Sequence, residues 1–145
     1  MPSRDVVTCF VLSFFLAAGC GRRLPTTPTP LLDGTWTGSI VHSLAGTGTM
    51  VLTMSQVGVG VTGTWSADFA GDAYDRRGSA GGTVHGPQLA LFLTPETPLN
   101  CGPGLGLSGT LALDGTVAGD RVTGTYVTLT CDGAEDGSVD VMRAN

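Results

Sequence analysis

Residues Val59-Gly60-Val61-Thr62-Gly63-Thr64-Trp65-Ser66-Ala67-Asp68-Phe69 (VGVTGTWSADF) alternate without a break. Val59, Val61, Gly63, Trp65, Ala67 and Phe69 fall on one side of an extended chain, and Gly60, Thr62, Thr64, Ser66 and Asp68 on the other. Successive side chains of a strand point to opposite faces, so this period of two marks a strand with one dry and one wet face. A helix would scatter the same residues around its circumference.

The period recurs along the chain. In Gly48–Ser55, Met50, Leu52 and Met54 share one face while threonines dominate the other. The same alternation holds at Trp36/Gly38/Ile40, Leu89/Leu91/Leu93, Leu105/Leu107/Leu111/Leu113, Val122/Gly124/Tyr126 and Val139/Val141. Turn signals separate the runs: Ala45-Gly46, Val57-Gly58, Gly86-Pro87, Asp114-Gly115 through Gly119-Asp120, and Asp132-Gly133. Eight strands are predicted, near 34–42, 47–56, 59–69, 79–85, 88–94, 105–113, 121–131 and 137–143. Joined in order they form an antiparallel up-and-down meander, which removes both edges by closing into a barrel. A two-sheet β-sandwich is the alternative, because alternation is common to both.

Two segments echo one another. Gly48–Trp65 reads GTMVLTMSQVGVGVTGTW and Gly109–Tyr126 reads GTLALDGTVAGDRVTGTY, each beginning with Gly-Thr and ending in Val-Thr-Gly-Thr plus an aromatic. Two equivalent hairpins with the same packing demands account for the match.

Gly34-Thr35-Trp36 on the first strand, with Gly63-Thr64-Trp65 and Gly124-Thr125-Tyr126 later, resembles the calycin barrels, the lipocalins and avidin-like proteins. The resemblance implies that Trp36 closes the barrel floor and that Arg143, on the face of Val139 and Val141, covers its indole. It implies binding of a small hydrophobic ligand, with Trp36, Met50, Met54, Trp65, Phe69, Leu91, Leu111 and Tyr126 as ligand-binding or barrel-core residues. Whether these side chains surround a guest or fill the interior is open at this point. Their apolar character restricts any guest to an apolar one, because a polar guest loses hydrogen bonds on entering.

The chain begins with a short apolar run, Val6 to Ala18, preceded by Arg4 and Asp5. At 1.5 Å per residue it covers about 20 Å of a hydrocarbon core about 30 Å thick, a length suited to a secretory signal rather than a span. Its end, Leu16-Ala17-Ala18-Gly19-Cys20, resembles the lipobox of bacterial lipoproteins, with Ala17 where leucine is usual. The resemblance implies cleavage before Cys20 and lipidation of its thiol. Ordinary secretory cleavage at the same bond is the rival reading. Cysteine arithmetic favours the lipobox, since Cys20, Cys101 and Cys131 remain after cleavage and a lipidated Cys20 leaves an even pair. In an oxidising envelope Cys101 and Cys131 then form a disulfide. The expected organisation is a signal peptide over 1–19, a lipidated Pro/Thr-rich linker over 20–32 and a barrel domain over 33–145. Pro25, Pro28 and Pro30 among threonines favour extended polyproline II. The expected location is the cell envelope, in the outer membrane facing the periplasm or the cell surface, with membrane lipid as the anchor's partner.

The chain has seven arginines and no lysine, twelve acidic residues and a formal net charge of −5. Scattered arginines on an acidic chain make no nucleic-acid surface. Two isolated cysteines make no zinc site, no cofactor motif is found, and Asp68, Asp72 and Asp75 lack the spacing of a calcium loop. His42 and His85 stand near turns without a carboxylate or serine at recognisable spacing, and read as surface or turn residues. The Asp132–Asp136 stretch reads as a solvated hairpin tip. With no nucleophile, base and orienting group in view, a non-catalytic protein is expected, binding a small hydrophobic molecule or an envelope protein. Threonine-rich outer faces and absent aromatic girdles argue against a barrel that spans the membrane.

Overall fold

A computed structural model describes residues 28–71, 74–102, 106–107 and 109–145. The apolar run Val6–Ala18, Cys20 and Asp72 lie outside the described residues. Eight strands form a closed antiparallel barrel: β1 (Gly34–His42), β2 (Gly46–Val57), β3 (Gly60–Asp68), β4 (Arg76–His85), β5 (Gln88–Pro95), β8 (Leu111–Ala118), β9 (Arg121–Thr130) and β10 (Gly133–Arg143). Between β5 and β8 the chain forms a two-residue ribbon of β6 (Leu99–Asn100) with β7 (Gly106–Leu107). Each barrel strand pairs with its neighbours in the chain, and β1 pairs with β10 from Trp36↔Arg143 to His42↔Gly137, closing the ring. The sandwich is thereby excluded.

The inward face carries the core. Trp36, Met50, Leu52, Trp65, Leu91, Leu113, Tyr126 and Val141 are all buried, as are Met54 and Leu111. Fully burying a large apolar side chain contributes about 1.5–3 kcal/mol, so the alternation is itself the main source of stability.

The echoing segments are the β2–β3 and β8–β9 hairpins, and their registers coincide. Met54↔Gly63 matches Gly115↔Gly124, and Leu52↔Trp65 matches Leu113↔Tyr126. Both turn on a glycine in the left-handed region, Gly58 at φ 62° and Gly119 at φ 60°. A Cβ on Gly63 would lie 1.9 Å from the Thr53 carbonyl oxygen, and one on Gly124 2.5 Å from that of Asp114. The shared glycines therefore let the neighbouring backbone pass.

Three strands differ from expectation, and β4 starts three residues early, at Arg76 instead of 79. The sixth barrel strand runs over Leu111–Ala118, not 105–113. Gly109, at φ 63°, interrupts the leucine alternation, while Asp114-Gly115 lies inside the strand as partner of Thr125 and Gly124. The last strand also starts earlier, at Gly133, which brings Glu135 into the sheet.

Candidate functional site

The barrel has two unlike ends. At one, the tight turns Val57–Gly60, His85–Gln88 and Ala118–Arg121 gather around a sealed floor. Trp36 lies there fully buried, its Nε1–H donating to the Leu32 carbonyl at 3.0 Å. The Arg143 guanidinium carbon sits 4.3 Å from the Trp36 ring centroid, within cation–π range. The same guanidinium donates to the Asp120 carboxylate at 2.9 Å and to the carbonyls of Asp33 and Leu31. Leu32 is fully buried, and its N–H donates to Gln56 Oε1 at 2.9 Å. The segment before β1 thus plugs the floor. Met50, Met54 and Leu91, candidate ligand contacts on the sequence, are core residues between the two ends.

The other end is a mouth. Its cavity, of about 280 Å³, is lined by Trp65, Phe69, Leu111, Tyr74, His42 and Glu135, among others. The alternation of β3 delivers Trp65 and Ala67 to it, and Phe69 follows on the same side. A Cβ on Gly48 would lie 2.7 Å from the Phe69 ring, so that glycine makes room for the aromatic. Around the His42 ring stand Tyr74, Phe69 and Tyr126, with centroids at 5.4, 6.1 and 6.3 Å.

A buried polar corner interrupts this apolar wall. Glu135 is only 8% exposed in its side chain. Its Oε1 accepts a hydrogen bond from the Thr130 hydroxyl at 2.8 Å. Oε2 lies at ion-pair distance, 3.0 Å, from His42 Nε2 and makes no hydrogen bond. His42 Nδ1 accepts from the backbone N–H groups of Leu44 and Ala45, at 3.2 and 3.4 Å. Trp65 Nε1 is a second buried polar atom without a partner. Burial pushes the Tyr126 phenol well above the ordinary tyrosine range, with the charges of Asp136 and Glu135 adding to the shift.

His42 is therefore a buried mouth residue rather than a surface histidine, and Glu135 is not part of a solvated tip. Strand parity carries the missed signal. Counting by twos from Trp36 reaches Ile40 and His42, and counting back from Val141 and Val139 reaches Gly137 and Glu135. His85 is exposed at a turn.

Cys101 and Cys131 form a disulfide with Cα atoms 5.2 Å apart. It ties the β5–β8 connection to the β9–β10 turn, and that connection supplies Leu99 and Gly109 to the mouth. Of the three aspartates considered for calcium, Asp75 accepts the Phe69 N–H at 2.7 Å, which closes its own loop. Among the described residues no group of three or more His, Cys, Asp or Glu is placed to hold a metal ion.

Comparison with protein-family models, with curated proteins and with solved structures finds no match to this chain.

Proposed function

We propose that this chain is an envelope lipoprotein whose barrel binds a small hydrophobic molecule in its mouth, without catalysis. The observation that carries the reading is the aromatic-lined cavity of about 280 Å³ at one end of an otherwise filled barrel. An apolar cavity of about 150 Å³ accommodates benzene, so this one has room for a guest of roughly two rings. The calycin resemblance of Gly34-Thr35-Trp36 and Arg143 supports the same reading. On this reading Cys20 carries the lipid, and two or more acyl chains hold the protein firmly on the membrane. The chain reaches the barrel through Leu31–Asp33 at the floor, so the anchor lies on the side away from the mouth. Leu32 stands twelve positions after Cys20, a reach of about 37 Å if the stretch is extended as polyproline II.

Mass spectrometry of lipids extracted from the purified, membrane-derived protein tests the binding reading. A stoichiometric apolar guest is expected. A clean spectrum, together with no change in tryptophan fluorescence on adding hexanol, overturns it. For the anchor, Cys20→Ala releases the protein into the soluble fraction, and unchanged membrane partition overturns lipidation.

A second reading, a protein-interaction lipoprotein without ligand, is favoured by the outer wall. Phe92 is 61% exposed there, in a row with Gly81, Ala112 and Val127 across four strands. Exposed Leu129 lies two residues further along β9. Crosslinking in intact cells that captures an envelope protein through Phe92, with the clean spectrum above, distinguishes this reading.

A further inference from the structure

We infer that the guest of the mouth is an organic cation, an amine or small ammonium on an apolar body, with its charge at Glu135. The inference rests on the proposed ligand-binding role of the cavity and goes on to specify the guest's chemistry.

Three independent features of the mouth converge. The first is the unsatisfied acceptor. Glu135 lines the cavity with its side chain more than nine-tenths buried, and its Oε2, 3.0 Å from His42 Nε2, makes no hydrogen bond. A carboxylate accepts and does not donate, so the group that completes it must be a donor. A hydrogen bond to a charged donor is about twice as strong as a neutral one.

The second is the ring cluster. Trp65, Phe69 and Tyr74 line the same cavity, with Phe69 and Tyr74 centroids 6.5 Å apart and their planes at 72°. Aromatic faces carry negative potential, and walls of several rings recognise ammonium groups. The ring faces suit a cation and an alkyl body, and the one unpartnered donor in this wall is the Trp65 Nε1–H.

The third is charge. Among the described residues, Glu135 and Asp132 line the mouth with one arginine, Arg76, whose Nη1 donates to the Asp75 carbonyl at 2.8 Å. The two carboxylates outnumber the arginine by one. The whole chain is acidic in the same sense, at −5, so its field draws cations toward the opening.

A matched ligand series separates head-group chemistry from pocket filling. Hexylamine, hexanol and hexanoate have bodies of the same length and differ in the head alone. Each is titrated into the full chain, with binding read by tryptophan fluorescence and by calorimetry. Hexylamine is expected to bind about tenfold more tightly than hexanol, and hexanoate more weakly than either. Glu135→Gln reduces the amine-to-alcohol ratio to about one while hexanol binding persists. Tyr74→Leu replaces an aromatic face by an aliphatic one; it weakens the amine several-fold more than the alcohol. This second variant keeps the test valid if Glu135→Gln disturbs folding.

Equal binding of amine and alcohol overturns the cation assignment and leaves the hydrophobic pocket standing. Tightest binding of hexanoate overturns it too, in favour of Arg76 as the head-group contact. Failure of all three to bind overturns the cavity reading together with the cation.

Discussion

The ring of Tyr126 covers the backbone of Gly137, its direct partner across β9 and β10. A Cβ on Gly137 would lie 2.4 Å from both Cζ and Oη of Tyr126. The ring extends over β10 and its hydroxyl donates to the Val41 carbonyl on β1 at 3.1 Å. One side chain from β9 thus crosses the seam where the first and last strands meet. Glycine at 137 is what admits it.

Replacing Gly137 by alanine therefore displaces the ring and strains the seam, because the Val41 carbonyl oxygen is also only 2.1 Å from the new Cβ position. Overpacking costs about 1–3 kcal/mol and the lost hydrogen bond about 1 kcal/mol more. A destabilisation of about 3 kcal/mol is expected in urea unfolding. Wild-type stability in this variant would mean that closure does not depend on the Tyr126 staple.

Tyr126→Phe isolates the hydroxyl and carries a pH signature. In the folded state burial, then Asp136 and Glu135, hold the phenol's proton more tightly than in the unfolded chain. The associated stability is complete below the unfolded tyrosine value of about 10 and declines as pH rises beyond it, since the unfolded state then binds fewer protons. At neutral pH the variant loses about 1 kcal/mol. In alkali its stability declines less steeply than the wild type's, as measured by denaturant midpoints along a pH series. Parallel declines would show that Tyr126 is not the group responsible.

Alternation made the wall legible and connection geometry hid the mouth. Trp36, Trp65, Met50 and Tyr126 could be assigned to the interior by counting in twos, because a closed sheet enforces parity over every paired residue. Leu105 and Leu107 kept the same parity as Leu111, yet the positive φ of Gly109 ends that run, a backbone event that leucine spacing does not encode. Residue type and nearness to turns assign His42 and Glu135 to the surface. Their inward parity continues that of Ile40 and Val139, so the signal existed but was outweighed by polarity. The pairing of the two polar residues was beyond reach, since it depends on the β1–β10 closure that sets His42 opposite Gly137.

At the floor, Arg143 combines a cation–π contact with hydrogen bonds to Asp120, Asp33 and Leu31. Arg143→Ala removes all of them and leaves the Leu32 plug held by Gln56 Oε1 and the Trp36 Nε1–H. A loss of about 2 kcal/mol is expected. Arg143→Lys restores only part of it, because an ammonium lacks the planar fork that reaches two carbonyls while stacking on an indole. Hydrogen exchange should show the difference first at the backbone amides of Leu32 and Gln56. Full rescue by lysine would reduce the role of Arg143 to net charge.

The Cys101–Cys131 bridge closes a loop with a sequence separation of 30, which in the chain-entropy model stabilises by about 3.5 kcal/mol. Its location makes the consequence of removal selective. Cys101 lies in the connection between β5 and β8, outside the barrel ladder, and Cys131 in the turn after β9. The double variant Cys101→Ser/Cys131→Ser is therefore expected to keep the far-ultraviolet signal of the barrel in the absence of denaturant. Its urea midpoint falls by the equivalent of about 3 kcal/mol. The connection bearing Leu99 and Gly109 is at the same time released from the mouth, so a bound apolar guest is held more weakly even where the barrel remains folded. A variant that loses its sheet signal without denaturant would instead make the bridge a condition of folding, and one that binds hexanol as tightly as the wild type would remove the connection from the site.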